Sequence, residues 1–415
     1  MAKVLVVGGG GREHAIVHAL SKSSKVSEIY AAPGNAGIAK LATCVNIKDT
    51  DVLNIVEFSK AEGIDLVVVG PEAALAVGVV DALNASGIKA FGPTKAACQI
   101  ESSKNFAKEL MKKYNIPTAG FETFNDFNKA MDYVKAHSLP TVLKYDGLAA
   151  GKGVVIANTL TEAEEALRDM LLDDKFGHGK VVIEDYLVGP EFSFMCFVDN
   201  ENVYPLEMAQ DHKRAYDNDL GPNTGGMGAY SPLPFITEED YSYALNEIMI
   251  PTAKAMVFEG VPFKGVLYGG LMKTANGIKV IEFNARFGDP ETEVVLPRLT
   301  SDIYEAFVNI IDGNKPLLTW SECYTIGIVL ASKGYPGSYD KGYIIEGADS
   351  DDIYHMGTKV DEDGNLLTNG GRVLFAVAKG NTLEEANKKA NLLVDNIKCE
   401  NLFHRTDIGA KAYKK

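Results

Sequence analysis

Cysteine is scarce. Five thiols in 415 residues (Cys44, Cys98, Cys196, Cys323, Cys399) stand far apart, and no CxxC pair occurs. Such a set excludes a disulfide framework and a cysteine-built zinc site, and points to a reducing compartment. Long apolar runs are also lacking: none approaches the ~18 residues of a membrane span, so no membrane partner is expected. No basic, apolar leader precedes the first strand-like run Lys3-Val4-Leu5-Val6-Val7, so a cytoplasmic location is expected. Basic charge is in deficit, with 41 Lys and Arg against 56 Asp and Glu and a net charge of −15. A surface of that sign repels phosphate backbones, so nucleic acid is not an expected partner. A local basic pocket can still hold a small phosphorylated substrate. Repeats, heptads and low-complexity tracts are absent.

What is present is an ordinary globular balance of 46% hydrophobic and 23% charged residues. The length suggests two to four domains at roughly 100–200 residues each. Over residues 1–100, short β-type runs (Val4–Val7, Glu28–Ala31, Leu66–Val69, Lys89–Phe91) alternate with helical segments. Most end in glycine or proline turns: Gly8–Gly11, Pro33-Gly34-Asn35, Gly70-Pro71 and Gly92-Pro93. That pattern predicts a doubly wound parallel sheet with its ligand loops at the strand C-termini. A helix is expected at about Ser103–Tyr114, then a compact α+β unit over 120–190 whose helix opens at the capping box Thr161-x-x-Glu164. A larger β-rich body follows, with a long helix opened at Thr237-x-x-Asp240. After Trp320 a smaller strand-rich unit contains a helix starting at Thr382-x-x-Glu385.

Five segments carry chemistry. Gly8-Gly9-Gly10-Gly11-Arg12-Glu13-His14 opens a helix after a strand, where backbone N–H groups can meet an anion. Glu13 stands where a dinucleotide fingerprint needs glycine or alanine, which disfavours NAD. The second segment runs from Lys144 through Asp146-Gly147 to Gly151-Lys152-Gly153. It fails as a Walker A loop, because Asp146 replaces the first glycine and Gly153 the Ser or Thr. It suits a flexible loop closing over a triphosphate, against the plainer reading of a tight hairpin. The third, Val181–Leu187 followed by Glu191, is a strand running into an acidic segment suited to adenine and ribose. The fourth is Lys279–Glu291. Period-two alternation puts Glu282 and Asn284 on one face, where two oxygens can hold magnesium together with phosphates and water. Arg286 follows, suited to a carboxylate or a transferring phosphoryl group. A solvated polar face with an Arg286–Asp289 pair is the plainer reading. The fifth is Gln210-Asp211-His212-Lys213-Arg214 with the glycine-rich Gly221–Gly228, in which Asp211 and Lys213 can order a loop or bind substrate.

In this order, Lys104, Lys144, the glycine loop, the acidic linker and Glu282-x-Asn284 resemble the ATP-grasp superfamily. Gly10-Gly11-Arg12-Glu13-His14, Pro33-Gly34-Asn35, Gly70-Pro71-Glu72, Pro222–Gly228, Arg286–Glu291 and Asn369-Gly370-Gly371-Arg372 narrow the resemblance to the phosphoribosylamine–glycine ligase family. The resemblance implies an α/β and α+β multidomain fold. Its parts would be a Rossmann-like pre-ATP-grasp domain (1–102), an ATP-grasp region (103–322, with a lid at 120–190 and a larger subdomain at 191–322) and a C-terminal domain (323–415). It implies ATP-dependent joining of glycine to 5-phosphoribosylamine through glycyl phosphate, in purine biosynthesis, by a stand-alone enzyme. ATP and Mg²⁺ or Mn²⁺ would be the cofactors, and a monomer is expected.

The resemblance also implies the site. Lys104, Lys144, Gly151, Lys152 and Gly153 would contact nucleotide phosphates, Glu184 and Leu187 the adenine, and Glu191 the ribose. Glu282 and Asn284 would hold the metal, while Arg286 and Lys144 would act in catalysis. Gly10, Glu13, Glu72, Asp211, Lys213, Asn223, Thr224, Gly225, Arg286, Asp289, Gly371 and Arg372 would face the substrates. Two departures stand out: Gly265–Met272 lacks the further metal carboxylate of many ATP-grasp enzymes, and Tyr145 replaces a small residue. The alternatives are a sibling purine-pathway ATP-grasp enzyme and a non-catalytic nucleotide-binding protein.

Overall fold

The computed structural model describes residues 1–147, 153–173 and 179–413. Its first sheet is parallel, built from β1 (Ala2–Gly8), β2 (Val26–Pro33), β3 (Thr43–Cys44), β4 (Leu66–Val69) and β5 (Ala90–Phe91) in the order β3-β2-β1-β4-β5. Its strands are apolar runs because helices cover both faces: Val4, Leu5, Val6, Val67 and Val68 are all fully buried. Strand order reverses beside β1, and there the glycine turn Gly8–Gly11 opens the helix Gly11–Leu20. A Cβ on Gly9 would collide with the Gly34 carbonyl, so glycine lets the first two strand-end loops touch.

The unit over 120–190 contains β6 (Phe121–Phe124), β7 (Thr141–Tyr145), β8 (Val154–Ala157) and β9 (Val181–Asp185), ordered β6-β9-β7-β8 and antiparallel. It packs on a core of its own around Ala130, Val134, Leu143, Leu167 and Ile183. Its second helix, Leu160–Leu171, starts two residues earlier than the sequence reading had it. Thr159 caps it by accepting from the Glu162 N–H, and Glu162 returns the bond to the Asn158 N–H. The string Thr-x-x-Glu occurs twice here, offset by two residues, and the outer copy takes the cap.

Beyond it come β10 (Glu191–Asp199), β11 (Asn202–Pro205), β12 (Gln210–Asp211), β13 (Arg214–Tyr216), β14 (Leu220–Asn223), β15 (Gly228–Ser231), β16 (Lys264–Thr274) and β17 (Gly277–Asn284). One sheet runs β11-β10-β16-β17. The helix expected at Thr237 is capped by Thr237 and Asp240 reciprocally, and continues through a π-turn segment to Phe258. The C-terminal part adds β18 (Tyr324–Ser332), β19 (Ile353–His355), β20 (Thr358–Val360), β21 (Leu366–Thr368), β22 (Arg372–Gly380) and β23 (Leu402–Phe403). Its sheet, β12-β15-β18-β22-β19 with β23 beside β18, therefore borrows two strands from the preceding body. Shared strands and two buried clusters, each drawing residues from all three, tie the N-terminal sheet, the body and the C-terminal part together.

One irregularity sets the register of the site. Between β16 and β17, Gly270 faces Glu282 while Leu271 faces Val280, so Ile281 is an extra residue. The bulge lets Val280 and Phe283, three apart, both enter the core. The carbonyl of that extra residue, Ile281, accepts from the Lys144 ammonium at 2.9 Å.

Candidate active site

The nucleotide end is built where the 120–190 unit meets β17. Lys144 ends a buried strand, 2.9 Å from the Glu184 carboxylate on the neighbouring β9. Glu184 also meets Lys108 at 2.8 Å. All three side chains are buried. Sequence reasoning missed Lys108. Its signal was a lysine on the apolar face of the helix Lys104–Lys113, beside Ala107 and Met111. Burial, and then Lys144, push the Lys108 ammonium down to about 8 against the pull of Glu184. Asp146 accepts from the Ser103 hydroxyl (3.0 Å) and the Asn105 N–H (3.1 Å), tying the start of the glycine loop to the helix carrying Lys104. Lys104 donates to the Gly147 carbonyl at 3.4 Å, and Gly153 accepts from the Tyr145 N–H at 2.8 Å. Gly151 and Lys152 lie outside the described residues. Leu187 is half-buried in the segment joining β9 to β10.

On β17, Glu282 and Asn284 share a face, opposite buried Phe283. Among the described residues no protein donor sits on the Glu282 carboxylate. Burial opposes its ionisation, but Lys213, Lys144, Lys104 and Arg286 outweigh that and hold its pKa below the ordinary value. Asn284 Oδ1 takes one long contact, 3.4 Å from Arg286. Among the described residues no cluster of three or more His, Cys, Asp or Glu could hold a metal by itself. The Glu282 and Asn284 oxygens fit a hard divalent cation whose other ligands are phosphates and water. Arg286 reaches Glu101 at 3.1 Å and Glu72 at 3.4 Å. Burial would lower its pKa, and these two carboxylates raise it instead. Glu101, another residue missed from sequence, also accepts from the Ala285 N–H at 2.7 Å and so anchors the end of β17.

The loop after β12 spans the middle. Lys213 meets Glu191 at 3.2 Å. Burial, then the nearby Glu291 and Glu191, overcome Lys213 and push Asp211 up to about 7. Behind them the Ser193 and Tyr268 hydroxyls each donate to buried Glu291 at 2.8 Å. Tyr268 faces Asn284 across the ladder, on the strand that lacks a metal carboxylate. Asn223 pairs with Arg214. Thr224 donates through its N–H and hydroxyl to the Lys213 carbonyl, and the Gly225 carbonyl accepts from Arg372 at 2.8 Å.

That arginine lines a cavity of about 340 Å³ between the N-terminal turns and the C-terminal part. Gly10, Asn35, Asp289, Gly371 and Arg372 are among its walls. Arg372 pairs with Asp289 at 2.9 Å. Asn35 donates to the Gly9 carbonyl and the His355 carbonyl, pinning the floor. Glu72 faces Arg286 and Arg12 nearby. Glu13 does not face the cavity. It is buried, accepting from the Gly10 N–H at 2.7 Å and from Arg12 at 2.6 Å, and so holds the turn from beneath.

Family models match nearly the whole chain: the phosphoribosylglycinamide synthetase N domain over residues 2–101, its ATP-grasp (A) domain over 102–292 and its C domain over 325–411. Among curated relatives, the phosphoribosylamine–glycine ligase of Halalkalibacterium halodurans is 53% identical, covering 99% of this chain and 97% of its own. That of Listeria monocytogenes serovar 1/2a is 51% identical, covering 99% of each. The crystal structure of the Thermotoga maritima phosphoribosylamine–glycine ligase superposes with a TM-score of 0.87 at 33% identity, over 98% of this chain and 99% of that one. With three matched domains in one order and half its residues shared with such relatives, the chain belongs to the phosphoribosylamine–glycine ligase family of ATP-grasp enzymes.

Proposed function

We propose that this protein uses ATP to join glycine to 5-phosphoribosylamine, giving glycinamide ribonucleotide, ADP and phosphate in purine biosynthesis. One observation carries the assignment of roles: Glu282 is a buried carboxylate that no protein donor occupies among the described residues, yet Lys213, Lys144, Lys104 and Arg286 lie near enough to hold it ionised. A glycine carboxylate is a poor acyl donor. Its oxygen must first take the γ-phosphoryl group to form glycyl phosphate, and the amine nitrogen then displaces phosphate. Both steps concentrate negative charge, which such a group of cations stabilises.

In this reading Lys104 and Lys144 hold nucleotide phosphates, with Gly151, Lys152 and Gly153 closing above them. Lys108 and Glu184 aim Lys144, and the segment through Leu187 to Glu191 receives adenine and ribose. Glu282 and Asn284 hold Mg²⁺ or Mn²⁺, which when bound neutralises phosphate charge. Arg286, steadied by Glu72 and Glu101, faces the transferring group. Asp211, Lys213 and the loop Asn223-Thr224-Gly225 stand between the two ends and receive the small substrates. Gly10, Asp289, Gly371 and Arg372 accept the sugar phosphate, in a cavity of the size expected for a small molecule, while Glu13 shapes its turn. One chain supplies all the residues named here, so a monomer suffices.

The test is phosphate release from ATP and Mg²⁺ with neither substrate, with each alone and with both, generating phosphoribosylamine in the assay. Release that needs both, in step with a new amide, supports the reading. Release indifferent to both, or none, overturns it.

A further inference from the structure

Beneath the cavity lies an acid with no role in the scheme above. Glu293 is fully buried in the short helix Thr292–Val295, and among the described residues no other side chain donates to either carboxyl oxygen, its own backbone N–H being the nearby donor. It sits under the glycine turn: a Cβ on Gly11 would come 2.6 Å from Glu293 Oε1. A polar neighbour is the Asp289 carboxylate, whose Oδ1 is ion-paired with Arg372 at 2.9 Å. Two neighbouring carboxyl groups that share one guanidinium are most stable in a dry place when one of them is protonated and donates to the other. Burial and then Asp289 drive Glu293 toward its protonated form, well above the ordinary carboxyl range, against the pull of Arg372 and its own backbone N–H. Asp289 is the member that reaches the cavity wall, beside Gly10.

We propose that Glu293 is a positioning residue that acts as a neutral acid, donating a hydrogen bond to Asp289 and aiming that carboxylate at the amine or hydroxyl groups of the sugar-phosphate substrate. Arg372 grips Asp289 from one side and Glu293 from beneath, so Asp289 keeps a single orientation. A free carboxylate there would rotate between Arg372 and solvent. This inference rests on the reading that the cavity takes phosphoribosylamine.

The discriminating pair is Glu293→Leu, which removes the donor, and Glu293→Gln, which keeps a neutral donor of the same length. Steady-state kinetics are measured with each substrate varied in turn, beside thermal melting. For Glu293→Leu the KM for phosphoribosylamine should rise about tenfold or more, with kcat and the KM for ATP and glycine held within about twofold. Glu293→Gln should rescue most of that KM. A folded Glu293→Leu protein with an unchanged KM overturns the proposal, because a purely structural acid would move melting alone. So does a Glu293→Gln protein as impaired as the leucine variant, since charge rather than donation would then matter. If Glu293→Leu does not fold, the glutamine variant decides: a KM near that of the unsubstituted enzyme supports the pairing, and a rise of about tenfold overturns it. An unsubstituted enzyme that does not use phosphoribosylamine at all sinks the ligase reading instead, so the two failures are told apart.

Discussion

Glu184 and Lys108 lie 2.8 Å apart, both almost wholly buried, and Lys144 meets the same carboxylate from the other side at 2.9 Å. One anion thus serves two lysines inside the protein. Removing either kind of charge should have unequal effects. Glu184→Gln leaves two buried ammonium groups without their direct partner, only Glu282 remaining nearby, and should cost about 3 kcal/mol of stability. Lys108→Met leaves the Lys144–Glu184 pair intact and should cost clearly less, while raising the KM for ATP by loosening Lys144. Denaturant melts of both variants check this; equal losses would remove Lys108 from any secondary role.

Glu282→Gln keeps shape and removes the charge that four nearby cations hold ionised. The fold should survive with a melting temperature within a few degrees. Turnover should fall by about 10²-fold or more, the scale of losing one electrostatic contact to the transition state. The loss should be greatest at limiting Mg²⁺. Near-normal turnover under those conditions takes Glu282 out of the metal site.

Part of this site was legible in the sequence and part was not. Glycine and proline punctuate the first sheet, so Val4–Val7 and Leu66–Val69 could be read directly. The polar face of Glu282 and Asn284 followed from strand period. The bulge at Ile281 did not, because it depends on β16 across the ladder; it also explains why Val280 and Phe283 defied a regular alternation. Glu101 and Glu293 were invisible for a related reason. Glu101 meets Ala285, 184 residues away, and Glu293 acquires its character from a dry environment that no local pattern encodes. Glu13 was legible as part of a motif, but its direction was not: it turns inward to Arg12 and the Gly10 N–H.

Arg286 bridges Glu72 and Glu101 from one planar group. Lysine keeps the charge but lacks the fork that reaches both. Arg286→Lys should therefore lower turnover by about 10²-fold and leave ATP binding close to unchanged. Isothermal titration with a non-hydrolysable ATP analogue, beside the turnover assay, separates the two effects. A lysine variant with full turnover would show that position 286 needs only a positive charge.

Asp211 provides a pH signature. Its carboxyl is pushed from an ordinary 3.8 up to about 7, by burial first and then by Glu291 and Glu191. A carboxyl whose folded pKa is raised binds more protons folded than unfolded between those two values. Its contribution to stability is therefore greatest below about pH 4 and declines as pH rises through about 7, where the buried carboxyl is half ionised. Asp211→Asn cannot ionise and escapes that decline. The stability of the variant minus that of the unsubstituted protein should become more positive between pH 5 and pH 8, by on the order of 2 kcal/mol. Turnover should behave oppositely at high pH, because the asparagine variant loses the charge that stands near Lys213 and receives substrate. Chemical denaturation at pH 5, 6.5 and 8 measures the first trend. A stability difference that is flat across this range, or that falls, would mean that Lys213 already holds Asp211 ionised throughout, and the neutral-pH switch in its charge would be lost.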